Sequence, residues 1–210
     1  MNILVKFKNS LIESLKDNKK LIIGLYIVFI ITFIAAFILS AAKMGNITSN
    51  IPVSGKSVGM NGGDAIELFI HNVSGGILTY IGSIFFAIPA IVGIVYNGIN
   101  LGTFGQLFNH LIPNGGLRYI VYLIPHGIFE ITATVLQSVA GVLLFLFIWR
   151  FIKAWRSSET QGVSDSFEKT KKVLIQSIVL MIFSIILLLI AAPIEAFVSI
   201  PFSELIFGPY

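Results

Sequence analysis

Long apolar runs separated by short polar or basic segments dominate the chain, and their lengths predict membrane-spanning helices. Residues 21–42 give 22 positions without a charge, enough to cross about 30 Å of hydrocarbon as a helix. Residues 65–100 read as one long helical candidate, interrupted by Gly75-Gly76 and by Pro89, either of which can kink it. It opens with Glu67 and His71, four apart, followed by Asn72, and its small residues Thr79, Gly82, Ser83, Ala87, Ala90 and Gly93 allow another helix to approach closely. A third run, residues 116–148, carries only two formally charged side chains, Arg118 and Glu130. The last, residues 173–200, has Glu195 as its sole charge, two positions after Pro193.

The segments between these runs are less uniform. Residues 101–117 contain Gly102, Gly105, Pro113, Asn114, Gly115 and Gly116 but no Lys, Arg, Asp or Glu. They predict either a re-entrant loop buried by protein or a short interfacial helix over 103–112 followed by a tight turn. Residues 43–64, rich in Gly, Ser and Asn with Pro52, predict a loop. Asn46-Ile47-Thr48 within it fits the acceptor pattern for N-glycosylation. In residues 1–20, Ile3, Leu4, Phe7, Leu11, Ile12 and Leu15 recur at helical spacing among five lysines, which predicts an amphipathic helix on the membrane surface. Small residues at Ser40-Ala41-Ala42 suggest signal-peptide cleavage as the alternative for the first run, but the apolar stretch exceeds a signal core of roughly 7–15 residues.

Composition narrows the class. The chain is 56% hydrophobic and 11% charged, with mean hydropathy +0.92; soluble domains carry roughly 25% charged residues. This is an all-α, polytopic α-helical membrane protein, expected as one integral membrane domain over residues 1–210. Without cysteine it has no disulfide, thiolate metal site or cysteine nucleophile. The net charge of +4 does not point to nucleic acid, because eleven of the 14 Lys and Arg lie in residues 1–20 and 150–172, flanking apolar runs. Both basic segments are expected to be cytoplasmic. An even number of crossings then separates them, which predicts five spans near 21–42, 65–97, 98–124, 126–148 and 173–200. In the cell membrane, the N-terminus is then expected on the cytoplasmic side and the C-terminus outside. Trp149 and Trp155 fit an interfacial position.

The candidate chemistry centres on Leu123-Ile124-Pro125-His126-Gly127-Ile128-Phe129-Glu130. His126 and Glu130 are four apart and share one helix face. Pro125 lacks a backbone donor and suits a first helical turn, so the stretch predicts a helix break followed by a new helix that opens with an imidazole and a carboxylate. Such groups are costly in hydrocarbon and need partners.

Four elements of the chain resemble motifs of the stage II sporulation protein M family of bacterial and archaeal membrane proteins. Phe69 to Asn72 resembles the start of that family's second span. Asn97-Gly98 with Leu101-Gly102 resembles its Asn-Gly, Leu-Gly element, and the stretch around His126 resembles its Pro-His-Gly-x-x-Glu signature. Ile194-Glu195-Ala196-Phe197-Val198-Ser199 resembles its Glu-Ala-Phe-Val motif. Thr132 and Ser199-Ile200 depart from positions where the family often has Pro and Thr-Pro. The resemblance implies five spans with the N-terminus inside. It also implies a scaffold or anchor that holds partner proteins during cell-envelope remodelling, with the lipid bilayer, other membrane or envelope proteins and further copies of the chain as partners.

The family motifs mark Asn72, Asn97, His126, Glu130 and Glu195, which form one polar intramembrane cluster if their segments converge. Three readings stand open. Buried polar groups at helix breaks can simply satisfy freed backbone atoms and one another. His126, Glu130 and Glu195 can supply three ligands to a divalent metal such as zinc, with Glu67 or His71 as further candidates, as in an intramembrane metal-dependent enzyme. Broken helices with membrane-embedded acids also suit a transporter or channel. No Ser-His-Asp set can be drawn, because Asp17, Asp64 and Asp165 all lie outside the apolar runs.

Overall fold

The computed structural model describes residues 2–44, 62–157 and 162–209, and every regular element among them is helical. The elements are α1 (Ile3–Asp17), α2 (Lys19–Met44), α3 (Gly62–Gly82), α4 (Ile88–Leu111), α5 (Gly115–Trp155), α6 (Val163–Ile194), a π-helical turn (Glu195–Ser199) and α7 (Ile200–Phe207). Among the described residues, four helical stretches are long and apolar enough to cross a membrane: Lys19–Lys43, Ile88–Leu111, Gly115–Trp155 and Val163–Phe207. The expected second span, 65–97, takes in α3 and the first part of α4, and the expected third, 98–124, takes in the rest of α4 and the start of α5; α3, with 21 residues, carries Glu67, His71 and Asn72 within its apolar sequence and is not among the four. The acceptor Asn46 and most of the predicted loop around Pro52 lie outside the described residues.

Three expectations about the path of the chain are corrected. The chain does not break at Pro125: α5 runs through it as one 41-residue helix. Proline removes a single intrahelical bond, and a helix in hydrocarbon has every reason to keep the rest, because each stranded backbone group there is expensive. Nor is 65–100 one kinked helix. Gly75-Gly76 continue inside α3, and the chain reverses at residues 83–87, where Phe86 and Ala87 take φ of 60° and 56°. Ser83 Oγ caps this reversal by donating to the Thr79 carbonyl at 2.6 Å. Of the two readings of residues 101–117, the helix followed by a tight turn is the one found, as the end of α4 and not as a separate short helix: α4 continues to Leu111, and a turn closed by the Gly115 N–H on the Ile112 carbonyl at 2.8 Å leads into α5.

The chain groups into two compact units. The first comprises Met1–Tyr26, Ser74–Ile94 and Ala133–Ile186. Its core is built from Ala133, Leu136, Val139 and Ala140 of α5 with Leu180 of α6 and Ala90 and Ile94 of α4, all essentially inaccessible. Ser177 Oγ donates to the Ala140 carbonyl at 2.7 Å and lies 3.0 Å from the Tyr80 hydroxyl. The amphipathic α1 is a helix as expected, capped by the Asn2 side chain on the Leu4 N–H. Its end is tied to α6: Lys172 pairs with Glu13 at 2.8 Å and Asp17 at 2.9 Å, and Gln176 donates to Asp17 at 2.9 Å.

The second unit comprises Ile27–Val73, Val95–Thr132 and Leu187–Tyr210. Here Gly98 and Gly102, one helical turn apart on α4, let α2 approach to backbone contact. A Cβ at Gly98 would strike the Thr32 hydroxyl, and one at Gly102 would strike the Phe33 carbonyl oxygen. Small residues at this spacing serve close packing between membrane helices, where hydrophobicity gives no preference for protein over lipid. Ser40 adds a hydrogen bond to Thr103 at 3.3 Å. Gly105 gives room to the Tyr119 ring, whose nearest carbons would sit 2.9 Å from a Cβ there.

Candidate functional site

All the groups that matter for chemistry in the second unit lie on α3, α5 and the C-terminal segment. On α5, Tyr119, Tyr122, His126 and Glu130 are spaced three, four and four apart and so form one stripe along the helix. Facing them is the π-helical turn Glu195–Ser199, bracketed by Pro193 inside α6 and Pro201 in the first turn of α7. Each proline lacks a backbone donor and clashes with the carbonyl four residues back, so the normal bonding ladder cannot pass through this stretch undisturbed. The wider turn absorbs the mismatch, and such turns recur at functional sites. It also turns Glu195 and Ser199 toward α5.

The contacts are specific. His126 is 2% exposed, and its Nδ1 lies 2.7 Å from Ser199 Oγ. Ser199 in turn donates to the Ile194 carbonyl at 3.3 Å. A hydroxyl has one hydrogen to give; with it on Ile194, Ser199 accepts from Nδ1–H, which leaves His126 Nε2 as a bare lone pair. Nε2 faces Glu130 Oε2 at 3.8 Å, too far for a hydrogen bond. The other Glu130 oxygen accepts from Asn72 Nδ2 at 3.3 Å. Glu195 Oε1 accepts from the Tyr122 hydroxyl at 3.1 Å, and the Tyr122 ring meets the His126 ring edge-on at 5.1 Å. One ligand atom each from His126, Glu130 and Glu195 falls within 4.8 Å of the others.

Four of the five residues marked by sequence are thus linked through this network: Asn72 to Glu130, and His126, Glu130 and Glu195 to one another. Asn97 sits half-buried on α4, next to Gly98 in the glycine seam. Glu67 and His71, the further ligand candidates, are exposed on α3, and among the described residues the group close enough to share an ion is His126, Glu130 and Glu195.

Three participants escaped sequence reading. Tyr122 holds Glu195, and its place four residues before His126 was a legible signal. Ser199 fixes the imidazole, but only the π-turn aims it there. Arg118 donates through both terminal nitrogens to the carbonyls of Phe207 at 2.8 Å and Gly208 at 2.9 Å, and Ser203 donates to the Arg118 carbonyl at 3.4 Å. Arginine so placed caps the end of α7, whose last carbonyls have no intrahelical partner.

Chemically, the arrangement is rich in acceptors. Two carboxylates and one imidazole nitrogen converge, and among the described residues Asn72 and Tyr122 donate to the carboxylates. Such a set can hold a cation or share protons, and it can anchor three helical segments to one another.

Comparison with known proteins agrees with the motif pattern. An uncharacterized protein of Methanocaldococcus jannaschii is 30% identical over 136 residues, which covers 63% of this chain and 69% of that protein. No solved structure matches the chain. The family model for stage II sporulation protein M matches residues 21–200, a stretch that includes Asn72, the glycine seam, His126, Glu130 and Glu195. This chain therefore belongs to the stage II sporulation protein M family of membrane proteins.

Proposed function

We propose that the chain is a membrane scaffold or anchor for partner proteins of the cell envelope. The observation that carries this reading is the way the C-terminal segment is pinned to α5. Arg118 holds the carbonyls of Phe207 and Gly208, Tyr122 holds Glu195, and His126 holds Ser199. These contacts recur over three turns of α5 and fix α7 in one pose. A surface fixed before binding loses less entropy when a partner docks, which is what an anchor requires. The family's description as a sporulation-stage protein supports envelope remodelling as the setting. The proposed topology has five crossings, with α3 as the second, the basic segments inside and α7 at the outer end.

The test is photo-crosslinking in native membranes from a reactive residue at position 205, where Leu205 is 83% exposed. Discrete crosslinked protein partners are expected, with capture reduced in Arg118→Gln. Lack of any crosslinked protein, together with solute or ion flux through liposomes holding the purified chain, would replace the scaffold with a transporter or channel. That second function draws support from the π-turn and the membrane-embedded acids.

A further inference from the structure

We infer that His126, Glu130 and Glu195 form a binding site for a divalent transition-metal ion, with zinc the best match, and that Ser199 is its positioning residue. This stands independently of the scaffold reading. The first support is donor accounting. Nδ1 of His126 is spent on Ser199, one Glu130 oxygen on Asn72 and one Glu195 oxygen on Tyr122. What remains facing inward is a bare Nε2 and two carboxylates, three electron-rich groups within 4.8 Å. Groups of this kind in hydrocarbon demand a positive partner, and a divalent ion neutralises two carboxylates at once.

The second support is geometric. Nε2 and Glu130 Oε2 are 3.8 Å apart, too long for a hydrogen bond but well matched to two bonds of about 2.0–2.2 Å to a shared ion. Glu195 offers the third ligand atom, within 4.8 Å of the other two. The donor set also selects the metal class: an imidazole favours zinc and its neighbours, whereas magnesium and calcium prefer oxygen alone.

The third support comes from the groups that surround the three ligands. A histidine that ligates through one nitrogen characteristically donates its other N–H to an oxygen that fixes the tautomer, and Ser199 Oγ is an oxygen 2.7 Å from Nδ1 that can take this part. Further along the same stripe, the Tyr119 hydroxyl is buried without a hydrogen-bond partner among the described residues. Three protein ligands leave a four-coordinate ion with one open position.

The experiment uses full-length protein purified in detergent without chelators. Metal content is measured by plasma mass spectrometry, followed by removal with EDTA and titration with Zn²⁺, Co²⁺ and Mg²⁺. The expected result is close to one transition metal per chain, a Co²⁺ ligand-field spectrum of low coordination number, and no competition from Mg²⁺. Glu130→Gln and Glu195→Gln should each weaken Zn²⁺ binding at least 100-fold, Ser199→Ala by 10–100-fold as expected for a residue that orients a ligand, and the exposed Glu67→Gln not at all. Should the Gln variants fail to fold, the wild-type stoichiometry and Co²⁺ spectrum decide alone. Wild-type protein without stoichiometric metal and without a Co²⁺ spectrum overturns the site and leaves the carboxylates sharing protons. Variants that bind Zn²⁺ as tightly as wild type overturn it equally.

Discussion

The Tyr122 hydroxyl donates to Glu195 across 3.1 Å, joining α5 to the π-helical turn through a carboxylate that has no basic side chain within salt-bridge reach among the described residues. A phenol is a good partner for such a group. It supplies one strong donor, needs no charge of its own, and spends little conformational entropy in a rigid ring.

Tyr122→Phe removes that donor and keeps the ring packed against His126. We expect a loss of about 1–3 kcal/mol, the cost of leaving a buried acceptor unmet. Thermal melts of the purified protein measure it. Combined with Glu195→Gln, the two losses should fall short of additive, because both act on one bond.

Replacement of Glu130 separates its roles. Glu130→Gln keeps size and hydrogen-bonding capacity, so it should melt where EDTA-treated wild type melts and gain nothing from added Zn²⁺. Glu130→Leu strands Asn72 and should cost a further amount of about 1–3 kcal/mol. Parallel melts with and without metal distinguish the two losses; equal Zn²⁺ stabilisation of wild type and Glu130→Gln would contradict the assignment.

The glycine seam gives a steric test. Gly102→Ala places a methyl group against the Phe33 carbonyl oxygen, backbone against backbone, and is expected to destabilise by about 1–3 kcal/mol through overpacking. Gly24→Ala in the same α2 meets nothing within 4 Å and should be neutral or stabilising by up to about 1 kcal/mol from helix propensity. The pair of melts checks that packing, rather than propensity, controls the outcome.

Topology is checked by single-cysteine labelling in intact cells and inverted vesicles. Five crossings place Ser157 inside and Gly208 outside. Accessibility of both positions from the same face would refute that count.

The tie between α1 and α6 should weaken in acid. The hydrogen bond from Lys172, then that from Gln176, holds the Asp17 carboxyl below its ordinary value of 3.8. A carboxyl lowered by folding contributes above its ordinary value, and the contribution is lost as pH falls through the lowered one. Limited proteolysis of residues 1–20 should therefore be constant from neutral pH down to about pH 5 and rise below about pH 4. Asp17→Asn should abolish that pH step.

Local chemistry alone determined a great deal here. Hydropathy and run length established the helices and their place in a membrane, because transfer of apolar side chains to hydrocarbon is settled residue by residue. Helical periodicity put His126 and Glu130 on one face, and the motif resemblance marked Glu195 and Asn72 as their companions. Tertiary structure decided what periodicity cannot encode. It kept α5 whole through Pro125, because the remaining backbone bonds of a membrane helix are too costly to surrender, and it placed the reversal instead at residues 83–87. It enlisted Ser199 through a π-turn between two prolines, set Tyr122 on Glu195, and used Gly98 and Gly102 for contact with α2. Each of these depends on which segments lie side by side, a choice made by packing between residues far apart in the chain.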